Sequence, residues 1–175
     1  MSFPHRDLHG PGQSRAIFEL IQSIFVSELL NPSEVLWLHF AWISDIEILD
    51  NSSRKFYGIN PSWPPTKIRL TKILEVLLSK GAKIRLTMRE DESNEYILHR
   101  LEKLKARYAK QIEWRILKNF HDKGMVGDSY FLSGSMNLTK YGITVNKEHV
   151  YLRTDPKQIA EEKIYLQSEW DSYPT

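Results

Sequence analysis

The residues with the most chemistry to offer lie in one short region: His121-Asp122-Lys123-Gly124-Met125-Val126-Gly127-Asp128, then Gly134-Ser135-Met136-Asn137, then Glu148. On an extended strand, residues two apart share a face, so His121 and Lys123 are expected to point one way, and Ser135 and Asn137 likewise. An imidazole, an ammonium, a hydroxyl and an amide that converge in this manner suit phosphodiester cleavage. One group attacks, and the others hold the charge that builds on the phosphoryl oxygens. Each residue also has a plainer reading. A histidine can bond backbone at a strand end, a serine after glycine is a common turn residue, and Glu148 can pair with Lys147 or Arg153. Their shared company favours chemistry. The chain has no cysteine, which removes disulfides, thiolate zinc sites and cysteine nucleophiles together.

The spacing His121-x-Lys123-x4-Asp128, followed by Gly134-Ser135-x-Asn137, resembles the signature of the phospholipase D superfamily. The resemblance is strongest from about residue 112 to residue 152. It implies that His121 is the nucleophile of a phosphohistidine intermediate, that Lys123 and Asn137 bind phosphate, and that Ser135 is a further donor. It implies that Glu148 orients the imidazole through its other nitrogen, and that Asp128 and Gly134 serve structure. No cofactor and no metal is implied, because protons and positive side chains take the part that Mg²⁺ plays elsewhere. Members with two motifs place two histidines in one site, whereas this chain has one motif. A histidine committed to attack cannot protonate the leaving group in the same step. A second His121 is therefore expected from another copy across a two-fold axis, in a homodimer.

The elements that must position these residues read as one α/β domain of the phospholipase D-like kind, a mixed β-sheet flanked by helices on both faces. Residues 1–13 read as an irregular arm and 14–175 as the single catalytic domain. From Ser14, Ile17, Ile21, Ile24 and Phe25 recur at helical spacing. Glu34 to Ile43 is a near-continuous apolar run, the mark of a central strand. The polar, turn-rich stretch from Ser44 to Pro65 reads as a long loop with at most one short helix. Thr66 is placed to cap a helix that Gly81 stops. Strands are expected at Lys83 to Met88, around Ile112 to Ile116, and as a hairpin of Met125-Val126 with Tyr130 to Leu132, turning at Gly127-Asp128-Ser129. A helix carries Ile97, Leu101, Leu104 and Tyr108 on one face, with a basic face read as solvated. Val145 to Leu152 is the last strand expected, and Asp155 caps a closing helix from Pro156 to Trp170.

The totals narrow the partners. A formal charge of +2 with pI ≈ 8.7 permits a polyanion without demanding one. The longest apolar run is far short of a membrane span, and His5, Arg6, Asp7, Pro11 and Gly12 stand where a signal peptide needs an apolar core, so the expectation is cytoplasmic. His5, His9, His39, His99 and His149 read as structural or surface histidines, and most of the tryptophans as core. The resemblance implies a metal-independent nuclease acting on DNA or RNA, similar to the small bacterial nucleases and the nuclease parts of restriction and antiphage systems. Arg54, Lys55, Phe56 and Tyr57 offer charge and stacking surfaces to a single strand. Two alternatives stay open: a nuclease subunit docked to a motor ATPase or helicase, and a phospholipase or phosphatidyl transferase.

Overall fold

The computed structural model describes residues 5–8 and 13–173. Its elements in chain order are β1 (His5–Leu8), α1 (Gln13–Leu30), β2 (Val35–Phe40), β3 (Glu47–Asp50), β4 (Lys67–Arg69), α2 (Leu70–Ser79), β5 (Lys83–Arg89), α3 (Glu95–Arg107), β6 (Ile112–Leu117), β7 (Lys123–Val126), β8 (Phe131–Gly134), α4 (Lys140–Thr144), β9 (Val150–Arg153) and α5 (Pro156–Ser172). The main sheet has seven strands in the order β1-β9-β8-β7-β2-β5-β6. The β2-β5 and β5-β6 pairs are parallel, while β2-β7, β7-β8, β8-β9 and β1-β9 are antiparallel. The parallel half needs helical crossovers, which α2 and α3 supply; the antiparallel half closes with a tight turn between β7 and β8.

Strand β2 shows why helices cover both faces. Leu36, Leu38 and Phe40 point into the large core shared with α1, α2 and α3. Trp37 points the other way, into a smaller cluster with Val126, Ile159, Leu166 and Trp170 that docks α5. A strand covered on both faces carries no polar alternation, as expected for Glu34 to Ile43. On the α5 side, the Arg85 guanidinium lies 4.8 Å from the Trp37 ring centroid and 5.3 Å from that of Trp170, and Arg115 lies 4.4 Å from Trp170. These stacks extend the hold of α5 beyond its apolar stripe.

Several expectations are corrected. Within the supposed arm, His5–Leu8 forms an edge strand on β9, tied further by Arg153 to Asp7. The rest of the arm call, including His9, lies outside the described residues. The stretch from Ser44 to Pro65 contains no helix; it holds β3, which pairs with β4 in a two-stranded ribbon. Asn51 sets the loop between them, donating to the Pro64 carbonyl and accepting from the Phe56 N–H. Thr66 does not cap α2, because Lys67–Arg69 is a strand and the helix starts at Leu70. The orphan Thr71 N–H is taken instead by the buried carboxylate of Asp45 at 2.9 Å, a cap supplied from outside the helix. The last strand is shorter than expected, Val150–Arg153 only, and α4 ends just before the expected start at Val145, with the Thr139 side chain accepting from the Gly142 N–H. Gly81 (φ +95°) stops α2, and Asp155 caps α5 through the Lys157 and Gln158 N–H groups, both as expected.

Candidate active site

His121 and Asp122 precede β7, and Lys123 is the first residue of that strand. Ser135 and Asn137 lie just past the end of β8, in irregular backbone. The shared-face argument from an extended strand therefore does not describe either pair. What brings the motifs together is the β7-β8-β9 meander. Gly134 ends β8 with φ +155°, and a Cβ there would stand 1.9 Å from the His149 carbonyl oxygen, so only glycine lets β8 approach the residue before β9 this closely. The Ser135 N–H then bonds that same carbonyl at 3.0 Å. Asp128, in the turn between β7 and β8, accepts from the Glu34 N–H at 2.8 Å and from Lys163 of α5, while its own N–H bonds Ser33 Oγ at 2.7 Å. Burial pushes its carboxyl up, but the bonds from Lys163 and Glu34 and the Lys163 charge outweigh this and hold it below the ordinary range. It anchors the turn to β2 and α5.

One cavity of about 710 Å³ is lined by His121, Asp122, Lys123, Ser135 and His149, with His39 from β2, Tyr151 from β9, and Glu162 and Tyr165 from α5 among its other walls. The Lys123 ammonium donates to the His121 carbonyl at 2.6 Å. Partial burial lowers its pKa, against the opposing charges of Asp122 and Glu148. Ser135 Oγ donates to the Glu148 carboxylate and accepts from the His149 N–H at 2.9 Å. Glu148 is buried, and its other oxygen accepts from Asn146 at 3.1 Å. It therefore orients Ser135 here, and no hydrogen bond joins it to His121 among the described residues. Asn137 is not on the cavity wall; its Oδ1 accepts from the Trp42 N–H at 3.2 Å, and its amide N–H groups make no hydrogen bond among the described residues. They remain available as donors.

Four neighbours carry no mark in the motif spacing: His39, Trp42, Glu162 and Tyr165. His39 is buried, and burial lowers its pKa to about 4, so its imidazole is neutral. The signal was present: it is the one ionisable side chain inside the run from Val35 to Ile43. Trp42 meets the His121 ring edge to face, at 6.5 Å between centroids and 90° between planes. Glu162 and Tyr165 come from a helix distant in sequence, and no local pattern foretells them. Glu162 is raised by burial and then by the Asp122 charge. By contrast, residues 44–65 contribute nothing to the wall of this cavity, and Phe56 packs against the main core. The basic side chains of α3 are partly engaged: Arg107 with Glu75, Arg100 with Asp45 at 3.8 Å, and Lys105 over the Trp114 ring at 4.6 Å.

Comparison with known proteins follows the same lines. The family described as "Cardiolipin synthase, PLD-like domain" matches residues 46–170. Among solved structures, NucT from Helicobacter pylori superposes with a TM-score of 0.65 at 16% identity, over 98% of this chain and 98% of that one. Nuc from Salmonella typhimurium, a phospholipase D family member, gives 0.59 at 17% identity, over 99% and 100%. The phosphatidylserine synthase of Haemophilus influenzae gives 0.58 at 17% identity, over 96% of this chain and 38% of that one. Comparison with curated protein sequences finds no match.

Proposed function

Because the chain belongs to the cardiolipin synthase, PLD-like domain family, and with it is a phosphodiesterase of the phospholipase D superfamily, we propose that it is a nuclease working through a His121 phosphohistidine, with one active site shared by two copies. The observation that carries the reading is the single cavity into which the fold brings His121, Lys123 and Ser135 from two separate motifs. An exposed imidazole stands beside a half-buried ammonium and a hydroxyl whose orientation a buried carboxylate fixes. The His121 imidazole attacks phosphorus, the bond to the leaving oxygen breaks, and that oxygen takes a proton from the second copy's imidazolium. Water then attacks the phosphohistidine, gives up a proton to the same second imidazole, and frees His121. Lys123 holds the charge on the non-bridging oxygens; Asn137, off the cavity wall with its amide N–H groups unbonded among the described residues, joins it only by turning toward the phosphate.

Nucleic acid is favoured over lipid because the chain matches nearly the whole of NucT and Nuc, but only part of the synthase. Compact single-motif members of this superfamily resemble small bacterial nucleases. No described helix is long and apolar enough to cross a membrane. The test is to incubate purified protein with labelled single- and double-stranded DNA and RNA in excess EDTA, beside His121→Ala. Cleavage in chelator that falls at least about 10³-fold in the variant is expected. A folded wild-type protein that leaves all four substrates intact would overturn the nuclease reading.

A further inference from the structure

We propose that Trp42 is the positioning residue for His121, its indole acting as the wall that holds the imidazole in the plane it needs for attack. The inference rests on the nucleophile reading of His121. Strand β2 ends at Phe40, yet the chain beyond it is bonded at every residue from Ala41 to Ser44. From one side, the fully buried Asn94 donates to the Ala41 carbonyl at 2.8 Å and accepts from the Ile43 N–H at 3.0 Å. From the other, Asn137 Oδ1 accepts from the Trp42 N–H at 3.2 Å, and the Leu138 carbonyl accepts from the Ser44 N–H at 2.9 Å. Ala41 and Ile43, on either side, are fully buried, whereas Trp42 is only half-buried. The segment thus holds a large ring at a fixed place on the surface rather than packing it in the core.

Three groups surround that ring. The His121 imidazole meets it edge to face. The Arg89 guanidinium lies 6.0 Å from its centroid. Asp91 sits by the indole N–H, its carboxyl held below the ordinary range by Ser93 first and by Trp42 as well. Arg89 and Asp91 therefore hold the ring in addition to its backbone bonds. His121 has no comparable support. Its carbonyl is taken by Lys123, which fixes backbone, and its ring makes no hydrogen bond among the described residues. Glu148 is committed to Ser135 and Asn146. What limits rotation of the imidazole is the indole, and small losses of alignment are expensive in a displacement at phosphorus.

The test compares wild type with Trp42→Ala, Trp42→Leu and Trp42→Phe in two assays. Steady-state cleavage should show kcat down about 10- to 100-fold in the alanine and leucine variants with KM changed less than about 3-fold, and phenylalanine within about 5-fold of wild type. The second assay does not need turnover: carbethoxylation of His121 by diethyl pyrocarbonate, followed by mass spectrometry of the peptide that carries it. A freed imidazole should react several-fold faster in the alanine and leucine variants and at the wild-type rate in the phenylalanine variant. Leucine keeps apolar volume at position 42 should alanine fail to fold. A folded variant without the ring that keeps the wild-type modification rate, or keeps the kcat of an active wild type, overturns the proposal. Failure of the nuclease reading is distinct: wild type would then cleave nothing, while the modification rates still decide whether Trp42 governs the imidazole.

Discussion

Burial holds His39 near a pKa of about 4 against an ordinary 6.5, and this sets a pH dependence that can be separated from every carboxylate in the chain. Above pH 6.5 the imidazole is neutral folded or unfolded, so it adds nothing. As pH falls through 6.5, the unfolded chain takes up a proton that the folded chain refuses until pH reaches about 4. Stability is therefore lost across that window on acidification, by about 3 kcal/mol for this one group. Urea unfolding of wild type and His39→Gln from pH 7 to pH 4 isolates it: the difference between the two should move by about 3 kcal/mol in favour of the glutamine variant. A constant difference would mean that His39 takes up its proton as readily in the folded protein as in the unfolded one. The contrast with His121 also shows what a residue pattern can and cannot tell. His121, Lys123 and Ser135 do line one cavity, but the β7-β8-β9 meander brings them there and not a shared strand face. His39 has no polar neighbour in sequence, yet it lies across the β2-β7 ladder from Gly124, next to Lys123. Neighbours across a sheet are not neighbours along the chain.

At the scale of elements, the meander β7-β8-β9 is what turns two motifs into one cavity, and its weakest point to substitution is Gly134. Replacing it with alanine would force a Cβ onto the His149 carbonyl at a backbone angle that L-residues avoid. The chain can relieve that only by parting β8 from β9, which breaks the Ser135 N–H bond to His149 and shifts Ser135 from Glu148. Gly134→Ala should cost about 2–4 kcal/mol, read as a lower denaturation midpoint, with faster amide exchange confined first to β8 and β9. A midpoint within experimental error of wild type would show that the meander tolerates the separation. The same scale explains which elements were legible beforehand. Long periodic segments such as α1, α3 and α5, and apolar runs such as β2, carry their own signal, because each buries a continuous face. Strands β1, β3 and β4 have three or four residues each; what makes them strands is a partner distant in sequence, His5–Leu8 with Val150–Arg153 above all. Helix α4, at five residues, is likewise set by its cap and its packing on α1.

At the scale of the whole molecule, the question is how many chains make one site. Each chain offers one exposed His121 at the rim of its cavity, and the other imidazoles near it are unsuited to the second role. His39 is neutral and buried, so at neutral pH it has no proton to give to a leaving oxygen. His149 has its backbone tied on both sides of Ser135, but no carboxylate partner holds its ring among the described residues. The proposed proton donor is the second copy's His121, and a mixing experiment follows from that proposal. Wild type is combined with His121→Ala under conditions that allow subunits to exchange, and activity is read against the wild-type fraction. If both imidazoles serve one phosphate, only dimers with two wild-type chains are fully active. Activity then falls as the square of the wild-type fraction, so an equal mixture keeps about a quarter of it. If each chain works alone, the same mixture keeps about half. A linear response, from subunits shown to exchange by mass spectrometry of labelled chains, would remove the shared site and return the search for the proton donor to His149 and Glu162 within a single chain.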